Sequence, residues 1–152
     1  MILQCILGLQ SKIIDFQNAF SQADIPSGEP VFIELPRYFK SDGGKHEVVL
    51  KLMKSLYGQA EAARLWYEKL RNGLLERGFV MSNVDPCLFM SNTVIGVVYV
   101  DDCIFWARSQ SEIDNLMKSF KEDGPSYNWE HSKGELVSEF LGIDSPFECS
   151  QL

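Results

Sequence analysis

The sequence lacks an excess of basic residues: 14 Lys and Arg stand against 21 Asp and Glu, a formal net charge of −7. Taken alone, that argues against a protein whose own surface supplies the basic footprint usual in nucleic-acid binding. Cysteine is also scarce. Cys5, Cys87, Cys103 and Cys149 include no CxxC or other ligand-like spacing, so no disulfide framework is expected and the thiols read as reduced, in an intracellular protein. His46 and His131 are isolated, without a second ligand at metal spacing. "DGGK", residues 42–45, lacks the remainder of a P-loop and reads as a turn. No apolar run is long enough to span a bilayer, and "MILQCILGLQ" has neither a basic n-region nor a cleavage site, so no membrane segment or signal peptide is expected.

What is present is apolar and patterned. With 45% hydrophobic and 12% aromatic residues the chain can bury a real core, and its length suits a single domain over residues 1–152. Ile2/Leu3, Ile6 and Leu7 share one helical face at the start. "KIIDFQNAF" begins as a strand with Asp15 near its end; "VFIEL" (Val31–Leu35) and "VVLKL" (Val48–Leu52) read as further strands separated by loops. A long helix follows, with Ala63, Trp66, Tyr67, Leu70 and Leu74 at helical spacing and Gly78 placed to end it. A second helix is announced by Ser109 and Glu112 as a capping box, carries Ile113, Leu116, Met117 and Phe120 as its apolar stripe, and is stopped by Gly124-Pro125. The expected class is α+β, a mixed or antiparallel sheet packed by helices.

Between the two helices, "VIGVVYVDDCIFWA" (Val94–Ala107) drives two adjacent carboxylates into an apolar run. Strands apolar on both faces are buried, and two residues between them suit a tight hairpin, here read as Asp101-Asp102. Two carboxylates about 4 Å apart repel by roughly 4 kcal/mol at an effective dielectric near 20, so something must offset the charge. If the sheet brings Asp15 to the same point, a carboxylate set results that suits hard Mg²⁺ or Mn²⁺. Two such ions clamp the attacking and leaving oxygens of an in-line phosphoryl transfer. The bland reading of an Asp pair at a hairpin, a solvated turn, stands beside this one until other segments decide.

Those segments exist. "YVDD" (Tyr99–Asp102) resembles the catalytic hairpin of reverse transcriptases, "IDFQNAF" resembles the Asp-Val-x-x-Ala-Phe motif of the Ty1/copia retrotransposon type, and "LMKSLYGQAEAARLWYEKL" resembles its Lys-Ser-Leu-Tyr-Gly segment. "DPCLF" (Asp85–Phe89) and "FLGID" (Phe140–Asp144) follow in the family's order, so the resemblance runs from about Ile13 to Asp144. It implies a polymerase palm with a YVDD β-hairpin, in which Asp15 and Asp101 hold Mg²⁺ (or Mn²⁺) and Asp102 completes the catalytic carboxylates. Phe20 would lie under the sugar of the incoming nucleotide and exclude a ribose 2′-hydroxyl; Tyr57 and Gly58 would line the nucleotide and template pocket; Tyr99 would lie near the primer terminus. The implied reaction is attack of a primer 3′-hydroxyl on a deoxynucleoside triphosphate, directed by an RNA or DNA template. The implied setting is a Pol polyprotein, in the cytoplasm or a retroelement particle.

The chain departs from the family at the loop after Gly58, where Gln59-Ala60-Glu61-Ala62-Ala63 replaces the usual Leu-Lys-Gln-Ala-Pro and a phosphate-facing lysine is missing. An upstream fingers region, a downstream thumb and a ribonuclease H domain are expected to lie outside these residues. Two other readings therefore accompany the polymerase one: a catalytically inactive relic of a retroelement, and an interaction module.

Overall fold

Runs of Val, Ile and aromatic residues give the centre of the chain its strands, and pairing these strands leaves one broad apolar face that two helices cover. The computed structural model describes residues 6–35, 49–122, 127–131, 139–140 and 143–144. In chain order the elements are β1 (Gln10–Asp15), α1 (Ala19–Gln22), β2 (Phe32–Glu34), β3 (Val49–Lys51), α2 (Ala62–Glu76), β4 (Val80–Met81), β5 (Leu88–Met90), β6 (Val94–Tyr99), β7 (Asp102–Ala107), α3 (Gln110–Glu122), β8 (Glu130–His131), β9 (Glu139–Phe140) and β10 (Ile143–Asp144). The class is α+β.

The main sheet has six antiparallel strands in the order β4-β5-β6-β7-β1-β8; β2 pairs with β3 and β9 with β10 in separate two-stranded ribbons. β1 is inserted between β7 and β8, so a strand from the start of the chain lies inside the sheet, one place in from its β8 edge. Ile14 sits opposite Cys103, and Gly96 opposite Phe105. The side chains of Ile14, Phe89, Val94, Val98, Cys103 and Phe105 are buried together with Trp66, Leu70 and Leu74 of α2 and Ile113, Met117 and Phe120 of α3. Because side chains alternate across a strand, the residues flanking Ile14 and Cys103, among them Asp15 and Asp102, emerge on the face away from the helices.

α3 buries Ile113, Leu116, Met117 and Phe120, the stripe expected from spacing. Half of its capping box forms: the Glu112 carboxylate accepts the Ser109 backbone N–H at 3.0 Å, while the Ser109 hydroxyl meets Ser111. Its expected stop at Gly124-Pro125 lies outside the described residues. α2 ends as expected at Gly78, with φ 78°; the Phe79 N–H donates to Leu74 O and the Gly78 N–H to Leu75 O, the paired bonds of a Schellman end.

Two expectations need correction. The buried face of α2 is Ala62, Leu65, Trp66, Leu70, Gly73 and Leu74, so Ala63 is exposed and Tyr67 only half-buried. Gly73 joins this face because Tyr127 lies over it: the Tyr127 hydroxyl donates to Lys69 O at 3.1 Å and would lie 2.3 Å from any Cβ at position 73. The two-residue turn between β6 and β7 is Val100-Asp101, since Tyr99 pairs with Asp102 as the last rung of the ladder; Asp102 is a strand residue. At the start of the chain residues 1–5, with Ile2 and Leu3 of the expected helical face, lie outside the description; Ile6 and Leu7 are helical and exposed. No helix among the described residues is long and apolar enough to cross a membrane.

Candidate active site

The register places four side chains in one row across four strands. Tyr99 of β6 lies opposite Asp102 of β7, Asp102 opposite Asp15 of β1, and Asp15 opposite Glu130 of β8. Directly opposed residues share a face of an antiparallel sheet, with Cβ atoms about 5 Å apart, so the row points away from the helices. Asp101 adjoins it in the turn. Asp15, Asp101 and Asp102, predicted as one set, are thus gathered at one end of β1, β6 and β7.

Their charges are felt mutually. Burial, then the charges of Asp101 and Glu130, holds the Asp15 carboxyl above its usual range. Burial, then Asp101 and Asp15, does the same to Asp102. Oxygen-only donors carrying surplus negative charge fit a hard divalent cation such as Mg²⁺ or Mn²⁺. Among the described residues, however, no group of three or more His, Cys, Asp and Glu side chains is drawn closely enough to hold a metal.

The turn is clamped from α2 and from the end of β1. Val100 has φ 55°, a conformation that a β-branched residue rarely adopts. The Trp66 indole N–H donates to Val100 O at 2.6 Å, and the Phe16 backbone N–H donates to Asp101 O at 3.1 Å. Trp66 and Phe16 are fully buried and in ring contact, with centroids 5.3 Å apart.

Phe20 and Tyr57, 37 positions apart in sequence, are in ring contact with centroids 4.4 Å apart. Local bonds bring them together. The Ser55 hydroxyl donates to Phe20 O, the Ser55 N–H donates to Ala23 O, and Lys54 pairs with Asp24 at 2.6 Å. Those contacts fasten the segment leading to Tyr57 onto the end of α1, and Gly58 at φ 92° turns the chain away. Burial, then the charges of Asp101 and Asp15, pushes the Tyr57 hydroxyl up, so this exposed ring lies within electrostatic reach of the carboxylates. Tyr99 is 55% exposed at the row's outer end.

Two participants were not visible in the sequence. Glu130 follows a segment without periodicity, and only the β1–β8 pairing brings it to the row. Trp66 reads as a core residue, which it is, but spacing could not reveal the partner of its indole. The departing loop has its own chemistry: Arg64 pairs with Glu61 at 2.5 Å and with Glu68 at 2.8 Å.

Comparison with known proteins bears on this arrangement. The profile of the family described as reverse transcriptase (RNA-dependent DNA polymerase) matches residues 8–150. The chain is 33% identical over 131 residues to the retrovirus-related Pol polyprotein from transposon TNT 1-94 of Nicotiana tabacum, covering 79% of this chain and 10% of that protein. It is 34% identical over 136 residues to the corresponding polyprotein from transposon RE1 of Arabidopsis thaliana, covering 87% of this chain and 9% of the relative. The Ty1-NL2 Gag-Pol polyprotein of Saccharomyces cerevisiae is 26% identical over 142 residues, or 91% of this chain and 8% of its own length. The chain thus spans about a tenth of the length of these relatives.

Proposed function

Since the chain belongs to the reverse transcriptase (RNA-dependent DNA polymerase) family, of Ty1/copia type, we propose that it is the palm portion of a copia-like Pol polyprotein and that the carboxylate row is its nucleotidyl-transfer site. The observation that carries this reading is the register: Asp15 lies opposite Asp102 on the open face, with Asp101 in the adjoining turn. Asp15 and Asp101 would hold Mg²⁺ or Mn²⁺, with Asp102 alongside; bound there, such ions activate the primer hydroxyl and stabilise charge on the transferred phosphoryl group. The residues of the chain do the rest. The Phe20–Tyr57 pair forms a wall near the carboxylates against which a deoxyribose could pack, Gly58 lets the backbone turn beside it, and Tyr99 stands at the primer side of the row. Template, primer and deoxynucleoside triphosphate are the proposed partners, together with the remainder of the polyprotein.

A second reading, an inactive relic, is favoured by two observations. The described His, Cys, Asp and Glu side chains form no group of three or more able to hold a metal ion, and Arg64 is committed to Glu61 and Glu68 beside the loop that lacks its lysine. Primer extension on an RNA template with Mg²⁺ or Mn²⁺ separates the readings. The polymerase reading expects extension that falls at least about a hundredfold in Asp101→Asn. Equal extension by the variant would refute the assigned site, and no extension by the unaltered chain would favour the relic.

A further inference from the structure

We propose that Trp66 is a positioning residue: its indole N–H holds the Val100-Asp101 turn, and with it the carboxylates, in a backbone conformation that the turn's own residues disfavour. This role presupposes the polymerase reading for its purpose, but not for its geometry.

Asp and Asn are the side chains that tolerate left-handed backbone, yet here the left-handed residue is Val100, at φ 55°. A β-branched residue does not stay there unless its surroundings fix it. Both carbonyls of the turn are caught, Val100 O by the Trp66 indole of α2 at 2.6 Å and Asp101 O by the Phe16 backbone N–H, directly after β1, at 3.1 Å. The two donors belong to residues in ring contact. Phe16 directly follows Asp15, so a single aromatic pair connects the end of β1, the turn and α2. A core position at 66 needs only apolar volume, which phenylalanine would also supply. What distinguishes tryptophan is one N–H, and here it is given to the carbonyl of the disfavoured residue.

The Phe16 amide reports on the docked turn, because its acceptor is Asp101 O. In the 152-residue chain carrying Trp66→Phe, hydrogen exchange followed by NMR should show the Phe16 amide exchanging about tenfold faster while the Met117 amide in α3 is unchanged. An unchanged Phe16 amide would overturn the proposal. So would equal acceleration of Phe16 and Met117, which would mean that the indole only adds to global stability. Should the variant fail to fold, the unaltered chain still decides. Its Trp66 indole proton should exchange as slowly as the Phe16 amide, and exchange at the rate of a free indole would contradict the anchor. Neither measurement involves metal or nucleotide. A chain that binds no Mn²⁺ but loses Phe16 protection would uphold the anchor and refute the polymerase reading.

Discussion

Asp15 and Asp102 face each other across β1 and β7, and each is harder to ionise in the folded chain than in the unfolded one. Between the ordinary carboxylate range and the raised folded values, the folded state therefore binds more protons. Stability of the metal-free chain should fall as pH rises through that window and return as pH is lowered through it. Asp15→Asn removes one charge of the pair and relieves the other, so at neutral pH, with a chelator present, the variant should melt at a higher temperature than the unaltered chain. The difference should shrink on acidification. Thermal unfolding across pH measures this; an Asp15→Asn variant that is less stable at neutral pH would mean the carboxylates are not destabilising one another. A site that costs stability while improving function is a familiar trade.

At the scale of elements, legibility in the sequence depended on how regular the packing is. α3 packs against β1 and β7 and carries no glycine, and helical spacing named its four buried residues without error. α2 has Gly73 in its last turn, and the side chain that fills that space comes from Tyr127, in a segment whose sequence has no strand pattern, so spacing alone did not mark Gly73 as part of the buried face. The hairpin was legible as two apolar runs, but the turn was placed one residue late. Preference for aspartate in left-handed backbone lost to the anchors at Trp66 and Phe16. Gly73 gives a quantitative check. Alanine there improves helix propensity by up to about 1 kcal/mol but places a methyl group against the Tyr127 ring. Gly73→Ala should therefore be net destabilising, by about 1–2 kcal/mol in urea unfolding, and net stabilisation would show that Tyr127 does not pack where described.

For the molecule as a whole, the sheet order is what makes a site. Asp15 lies 86 positions before Asp101, and only the insertion of β1 between β7 and β8 brings them to one end of one face, with Glu130 beyond. Sequence motifs named Asp15, Asp101 and Asp102; pairing alone adds Glu130 to them, because a neighbour across a ladder leaves no trace in local spacing. The most direct test of whether this row is a cation site is Mn²⁺ titration of the 152-residue chain followed by NMR. Saturable paramagnetic broadening centred on the amides of residues 15, 101 and 102, and lost in both Asp15→Asn and Asp101→Asn, is the predicted result. Broadening that is absent, or that survives both substitutions unchanged, would contradict it.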